Sequence, residues 1–174
     1  MMRTCKRPLP TGAVSPAAAL GYAGTTAAAG VGVLAAATNP VTAALGAANI
    51  ALYAGPYTLL KPVSEWNTWV GALVGAIPPL MGWTAAGGSV LDAAPLLLGS
   101  VCFLWQFPHF FSLAWVHRRD YARGGFKMVP CADPTGARTA DLVWRYSWCV
   151  RCCCCRCCGA KYPPRRSPRP HPGT

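Results

Sequence analysis

Asp120 is the residue around which chemistry could be organised. It lies in Arg118-Arg119-Asp120-Tyr121-Ala122-Arg123, with Lys127 close behind, so a single carboxylate is set among four cations at the end of an apolar stretch. Between Pro8 and Tyr121 only Glu65, Asp92 and Asp120 are acidic. A carboxylate beside Arg118, Arg119, Arg123 and Lys127 suits a divalent metal carrying an anionic ligand such as a diphosphate. The same residues also suit a basic loop at a membrane-helix end, with Asp120 merely salt-bridged. His109, in Phe107-Pro108-His109-Phe110, falls about one turn inside the apolar stretch. An ionisable group there is either functional or a neutral imidazole hydrogen-bonded within a bundle. Asn49 and Asn67 fit interhelical hydrogen bonds as well as ligand contacts. Tyr57 and Lys61 also read as an interfacial aromatic and a snorkelling lysine.

The elements that must position these residues follow from composition. The 174-residue chain is 53% hydrophobic and 12% charged, with a net charge of +11. Soluble domains carry roughly 25% charged residues. No Asp, Glu, Lys, Arg or His occurs from Pro8 to Leu60 or from Trp66 to Leu91, and Ala93 to Val116 has only His109. A soluble core helix cannot stay uncharged over such distances, whereas successive bilayer spans can. The excess positive charge sits at span ends and in the tail, not on an amphipathic face, which speaks against nucleic acid. Neither a cleavable signal peptide nor an Arg/Ser-rich transit peptide is evident, because Arg3, Lys6 and Arg7 lead straight into a full-length span.

The expected fold class is an all-α, multi-pass transmembrane helix bundle. Its spans are about 14–38, 41–60, 66–86 and 93–116, lengths that roughly 30 Å of hydrocarbon demands. Pro16 suits a first helical turn, Thr38-Asn39-Pro40 a turn, and the Ala/Gly-rich first span close packing inside the bundle. Pro78-Pro79 is expected to break or kink the third span, and Pro108 to kink the fourth. Basic residues flank the start of the first span, the second link (Lys61) and the end of the fourth. Antiparallel spans then gather Arg3, Arg7, Lys61 and Asp120 at one membrane surface, as the positive-inside rule requires.

Beyond Cys131 the character changes. Asp133-Pro134-Thr135-Gly136 reads as a loop, and Leu142 to Tyr146 as the start of a fifth helix that does not complete. Residues 149–174 read as a Cys/Arg/Pro-rich tail, disordered or non-native read-through, with seven of the ten cysteines between Cys149 and Cys158. Cys152/Cys155 and Cys155/Cys158 have CxxC spacing, but no loop separates two such pairs for tetrahedral convergence on zinc. S-palmitoylation beside a membrane is the other chemical reading.

Taken together, several segments cease to look independent. They are Arg3-Thr4-Cys5-Lys6-Arg7-Pro8-Leu9, Tyr57-Thr58-Leu59-Leu60-Lys61, Asn67-Thr68-Trp69-Val70-Gly71, Gly75-Ala76-Ile77-Pro78-Pro79-Leu80-Met81-Gly82-Trp83, Trp105-Gln106-Phe107-Pro108-His109-Phe110 and Asp120-Tyr121-Ala122-Arg123-Gly124-Gly125. In order and spacing they resemble the haem O synthases, protohaem IX farnesyltransferases of the UbiA-type intramembrane prenyltransferase family. The Asn-Thr-Trp-Val-Gly and Arg-Gly-Gly forms are more similar to the mitochondrial branch, and the resemblance covers about residues 1–148.

The resemblance implies transfer of a farnesyl group from farnesyl diphosphate to a vinyl group of haem B, giving haem O for haem A biosynthesis. It implies Mg²⁺ as cofactor, the lipid bilayer as surroundings, and the mitochondrial inner membrane as location. It casts Asp120 as the carboxylate of the second acidic motif, facing Mg²⁺ and diphosphate, and Tyr57 with Lys61 as a diphosphate-binding loop. Arg3 and Arg7 match the run after the first acidic motif; Arg123, Lys127 and Asn67 join them as substrate-binding candidates, and His109 as a haem-facing one. The first acidic motif has no counterpart here, and family members have more spans, in two halves around a central cavity. The expectation is therefore an incomplete, inactive fragment. A non-catalytic four-span membrane protein that associates with the full-length enzyme is the alternative.

Overall fold

A computed structural model describes residues 7–158, with side chains through Cys153. Among the described residues the chain is all-helical: α1 (Pro16–Ala37), α2 (Pro40–Leu52), a π-helical turn (Tyr53–Tyr57), α3 (Thr58–Leu60), α4 (Asn67–Ala85), α5 (Ala93–Val116), α6 (Arg118–Arg123), α7 (Val129–Ala132) and α8 (Ala137–Cys158). Two of these, α1 and α5, are long and apolar enough to cross a membrane. The architecture is an all-α, multi-pass helix bundle.

Local chemistry sets the starts. Ser15 accepts the Ala18 N–H and Asn39 the Thr42 N–H, and each is followed by a proline at the first helical position, where no intrahelical donor is needed. Asn39 also donates to the Thr84 carbonyl at 2.6 Å, and the Thr42 and Thr84 hydroxyls lie 2.8 Å apart and buried. The neutral α1–α2 turn is thereby stitched to the end of α4.

Packing follows chain order: α1 lies on α2, α2 on α4, α4 on α5, and α5 on α8. The core forms where α4, α5, α7 and α8 meet, from Ala72, Phe107, Phe111 and Val129, with Trp69, Phe103, Leu142, Val143 and Tyr146 packed against it. Tyr146 stacks on Phe107 at 4.1 Å and accepts the Trp69 indole N–H at 3.2 Å. In contrast, α1 has no buried residue, and Leu20, Tyr22 and Val33 are exposed. Leu20 and Val33 are what a lipid-facing helix presents. In α2, Asn49 Oδ1 is buried with no hydrogen-bond partner among the described residues.

Two sequence expectations are corrected. The first concerns Pro78-Pro79, because α4 runs unbroken from Asn67 to Ala85. Each proline removes one backbone hydrogen bond, to the carbonyls of Val74 and Gly75, and a helix packed against both α2 and α5 tolerates that loss. The second concerns the incomplete fifth helix. Here α8 is a full 22 residues and carries Cys149 to Cys158 within it. No Gly or Pro interrupts residues 137–158, and Asp133 fixes the start. Its carboxylate accepts the N–H groups of Gly136 (2.9 Å) and Thr139 (2.8 Å) and the Thr139 hydroxyl (2.8 Å).

Candidate functional site

At one end of the bundle the chain breaks its helical regularity three times, at the π turn, at the link from Lys61 to Trp66, and in the loop from Gly124 to Met128. The wide π turn contains Pro56, and such turns occur often at functional sites. It stacks Tyr53 and Tyr57 with ring centroids 5.2 Å apart. One turn on, the Lys61 ammonium lies over the Tyr57 ring at 4.3 Å and near Tyr53 at 5.6 Å, within cation–π range. Burial pushes the Lys61 pKa down from the usual lysine value.

The returning loop depends on Gly125, whose φ of +75° favours a residue without Cβ. Beyond it the Lys127 N–H donates to the Lys61 carbonyl at 3.0 Å. The Lys127 carbonyl in turn accepts from the Asn67 amide at 3.0 Å, and that amide also donates to Ser64 at 2.6 Å. Tyr121 and Phe126 meet edge to face at 6.0 Å.

These elements enclose one side of an open cavity of about 1110 Å³, just above the roughly 300–1,000 Å³ of small-molecule sites. One wall is Arg7, Leu9, Val14, Ala18 and Tyr22; the other is Tyr57, Lys61, Phe110, Tyr121, Phe126 and Met128. Arg7 and Lys61 supply cationic groups, while the aliphatic and aromatic side chains supply an apolar surface. The arrangement can hold an amphiphile with an anionic head and a long apolar tail.

The structure brings Arg7, Tyr57 and Lys61 to this cavity. Arg3 lies outside the described residues. Asp120, Arg123, Lys127 and Asn67 are not in its lining. Asp120 directly precedes the lining residue Tyr121, and neither ion pair formed among the described residues, Arg138–Glu65 and Arg145–Asp141, involves it. Arg123 and Lys127 are exposed. Asn67 is fully buried, its amide donates to two backbone carbonyls and its Oδ1 accepts from the Thr68 hydroxyl at 3.5 Å, so it anchors the loop. His109 is exposed, stacked on Trp105 at 5.2 Å, whereas its neighbour Phe110 reaches the cavity. Sequence reasoning did not single out Phe110, Tyr121 and Phe126 as site residues. Their signal was an aromatic beside each polar candidate.

Among the described residues no group of three or more His, Cys, Asp or Glu could hold a metal ion. Hard divalent cations need several oxygen ligands, and no such group gathers around Asp120 among the described residues. The donors present do not fit the Mg²⁺ site implied by the resemblance.

Comparison with known proteins agrees with the motifs. The chain is 54% identical over 142 residues to the mitochondrial protoheme IX farnesyltransferase of Homo sapiens, covering 82% of this chain and 32% of that protein. It is 47% identical over 145 residues to the Arabidopsis thaliana protein of the same name, covering 83% and 33%. It is 48% identical over 149 residues to the Yarrowia lipolytica one, covering 83% and 32%. The chain thus spans about a third of the length of these curated relatives. No solved structure matches it. The UbiA prenyltransferase family matches residues 1–161, nearly the whole chain. Cavity, motifs and relatives converge, and the chain belongs to the UbiA prenyltransferase family.

Proposed function

We propose that this chain contributes the prenyl-diphosphate mouth of a protohaem IX farnesyltransferase, which joins a farnesyl group to a vinyl carbon of haem B to give haem O. The observation that carries the reading is the cavity wall where Lys61 and Arg7 share a space with Val14, Ala18, Phe110 and Phe126. The diphosphate head would meet the cations and the isoprenoid tail the apolar residues. In such a transfer the carbon–oxygen bond to diphosphate breaks with its electron pair leaving on oxygen, the vinyl π pair forms the new carbon–carbon bond, and water adds to the vinyl carbon left electron-deficient, losing a proton. Fixed cations stabilise the charge developing on diphosphate without reorganisation. Lys61 is suited to the role, because its backbone is pinned by Lys127 and its ammonium is seated on Tyr57. Mg²⁺ belongs to the reading as a family property, and its remaining ligands are not among the described residues. The relatives' names support a mitochondrial setting, and we place the protein in the inner membrane, within the bilayer that supplies both substrates.

The test is binding of radiolabelled farnesyl diphosphate to the full 174-residue chain in lipid nanodiscs. Saturable binding that inorganic diphosphate competes away, and that Lys61→Ala weakens, is the expected result. Binding that farnesol displaces equally well, with no effect of Lys61→Ala, would overturn the reading.

A further inference from the structure

We infer that Gly71 is a positioning residue for Lys61: its missing Cβ lets the Tyr57 ring lie against α4, and that ring seats the ammonium at the cavity. A Cβ built at position 71 would stand 2.7 Å from Tyr57 Cε2, 3.3 Å from Cδ2 and 3.4 Å from Cζ. Carbon atoms prefer separations near 3.5–4.0 Å, so the ring and any side chain at 71 compete for one space. The other glycines of α4 differ. Gly75 abuts the Gln106 side chain, and Gly82 has nothing within 4 Å.

The consequence passes from helix to ring to charge. Lys61 is fixed at two points, its carbonyl by the Lys127 N–H and its ammonium by the Tyr57 face at 4.3 Å. Neither ion pair among the described residues includes it. Without the ring, the four-carbon stem regains its rotamers and the charge is no longer held at the cavity wall. Tyr57 Cε2 is near the tip of a side chain that can swing, so an added methyl moves the ring away from α4, toward the cavity it lines, without breaking the fold. Alanine is also a better helix former than glycine.

The inference rests on the prenyl-diphosphate reading, and the experiment separates the two. The full chain in nanodiscs is reductively ¹³C-methylated at lysine, and the Lys61 signal is assigned by its loss in Lys61→Arg. In the unsubstituted chain the signal is displaced upfield by the Tyr57 ring current. Gly71→Ala removes that displacement, weakens farnesyl diphosphate binding roughly tenfold, the effect of one lost charged hydrogen bond, and keeps the thermal midpoint. Gly82→Ala changes none of the three. Should Gly71→Ala not assemble, Tyr57→Leu, which removes the ring without adding bulk at 71, gives the same two losses. The inference is overturned if Gly71→Ala keeps both the displacement and the affinity, if Gly82→Ala loses them equally, or if Tyr57→Leu leaves the affinity intact. Failure of the unsubstituted chain to bind farnesyl diphosphate overturns the substrate reading, while the Lys61 signal in Gly71→Ala decides the positioning by itself.

Discussion

Asn67, itself fully buried, donates its side-chain amide across 3.0 Å to the carbonyl of Lys127, sixty residues further along the chain. The same nitrogen donates to Ser64, so one residue ties the start of α4 to the loop that fixes the Lys61 backbone. Asn67→Ala takes the side-chain donor from the Lys127 carbonyl, while the Ser64 carbonyl keeps the Asn67 backbone N–H at 3.4 Å, and the loss is expected to cost about 2 kcal/mol. Asn67→Asp costs more, because a carboxylate then faces carbonyl oxygens. Unfolding in mixed micelles measures both. Equal stability of Asn67→Asp and the unsubstituted chain would show that the amide does not hold the loop.

Lys61 gives two pH dependences of opposite sign. Burial lowers its folded pKa below the ordinary value near ~10.4. The cation that an anionic head needs is therefore lost at lower pH than for a free lysine, and diphosphate affinity falls as pH rises through the lowered value. Folding stability moves the other way. Between the lowered folded pKa and ~10.4 the unfolded chain binds more protons, so Lys61's contribution to stability rises with pH across that window. Titration of diphosphate binding, with Lys61→Arg as the control that stays charged, checks the first. An unchanged midpoint in Lys61→Arg would assign the titration to another group.

How much of this was legible in sequence depends on the range of the interaction. Helix α5 begins at Ala93 and ends at Val116, the bounds of the apolar run, because hydrophobic length and its charged boundary are local signals. The Asn39-Pro40 turn was legible for the same reason. Gly71 and Tyr57 both stood in recognisable motifs, yet nothing local says that one vacates space for the other. Asn67 read as a ligand candidate because burial is a tertiary property, and its partner is Lys127. The completion of α8 was missed although Leu142, Val143, Tyr146, Val150 and Cys153 recur at helical spacing on its partly buried face, because the arginine and cysteine content of residues 149–158 reads as tail. What carries the helix is the Asp133 carboxylate at its start and the Tyr146 ring on Phe107.

Asp133 should make α8 sensitive to acid. The Thr139 N–H is the largest influence holding its carboxyl below the usual range; burial opposes it, and the Thr139 hydroxyl, the Gly136 N–H and the Thr135 hydroxyl add to the lowering. A carboxyl with a depressed folded pKa stabilises fully above its unfolded value near ~3.9, and the contribution is lost as pH falls through the lower folded value. Helicity measured from pH 6 to pH 2 is expected to fall in that acid window. Asn at 133 cannot accept on both sides, so Asp133→Asn starts lower at neutral pH and loses less on acidification. Parallel acid curves for the two proteins would remove Asp133 from the account.

Tyr146 decides whether α8 is an integral part of the bundle. Its ring stacks on Phe107, and its hydroxyl accepts from Trp69, so the side chain joins α8 to both α5 and α4. Tyr146→Phe keeps the stacking and removes one acceptor, a loss of about 1 kcal/mol. Tyr146→Ala empties a place beside the buried Phe107 and Phe111 and should cost roughly 3–5 kcal/mol, as large aromatic deletions in cores do. Arg138→Ala breaks the 2.9 Å pair with Glu65, but that arginine side chain is 59% exposed and solvent screening limits the loss to under about 1 kcal/mol. The expected order is therefore Tyr146→Ala well below Tyr146→Phe, with Arg138→Ala close to the unsubstituted chain. A packed helix requires that order. A helix held to the bundle by surface charge would reverse it, with Arg138→Ala the most damaging of the three.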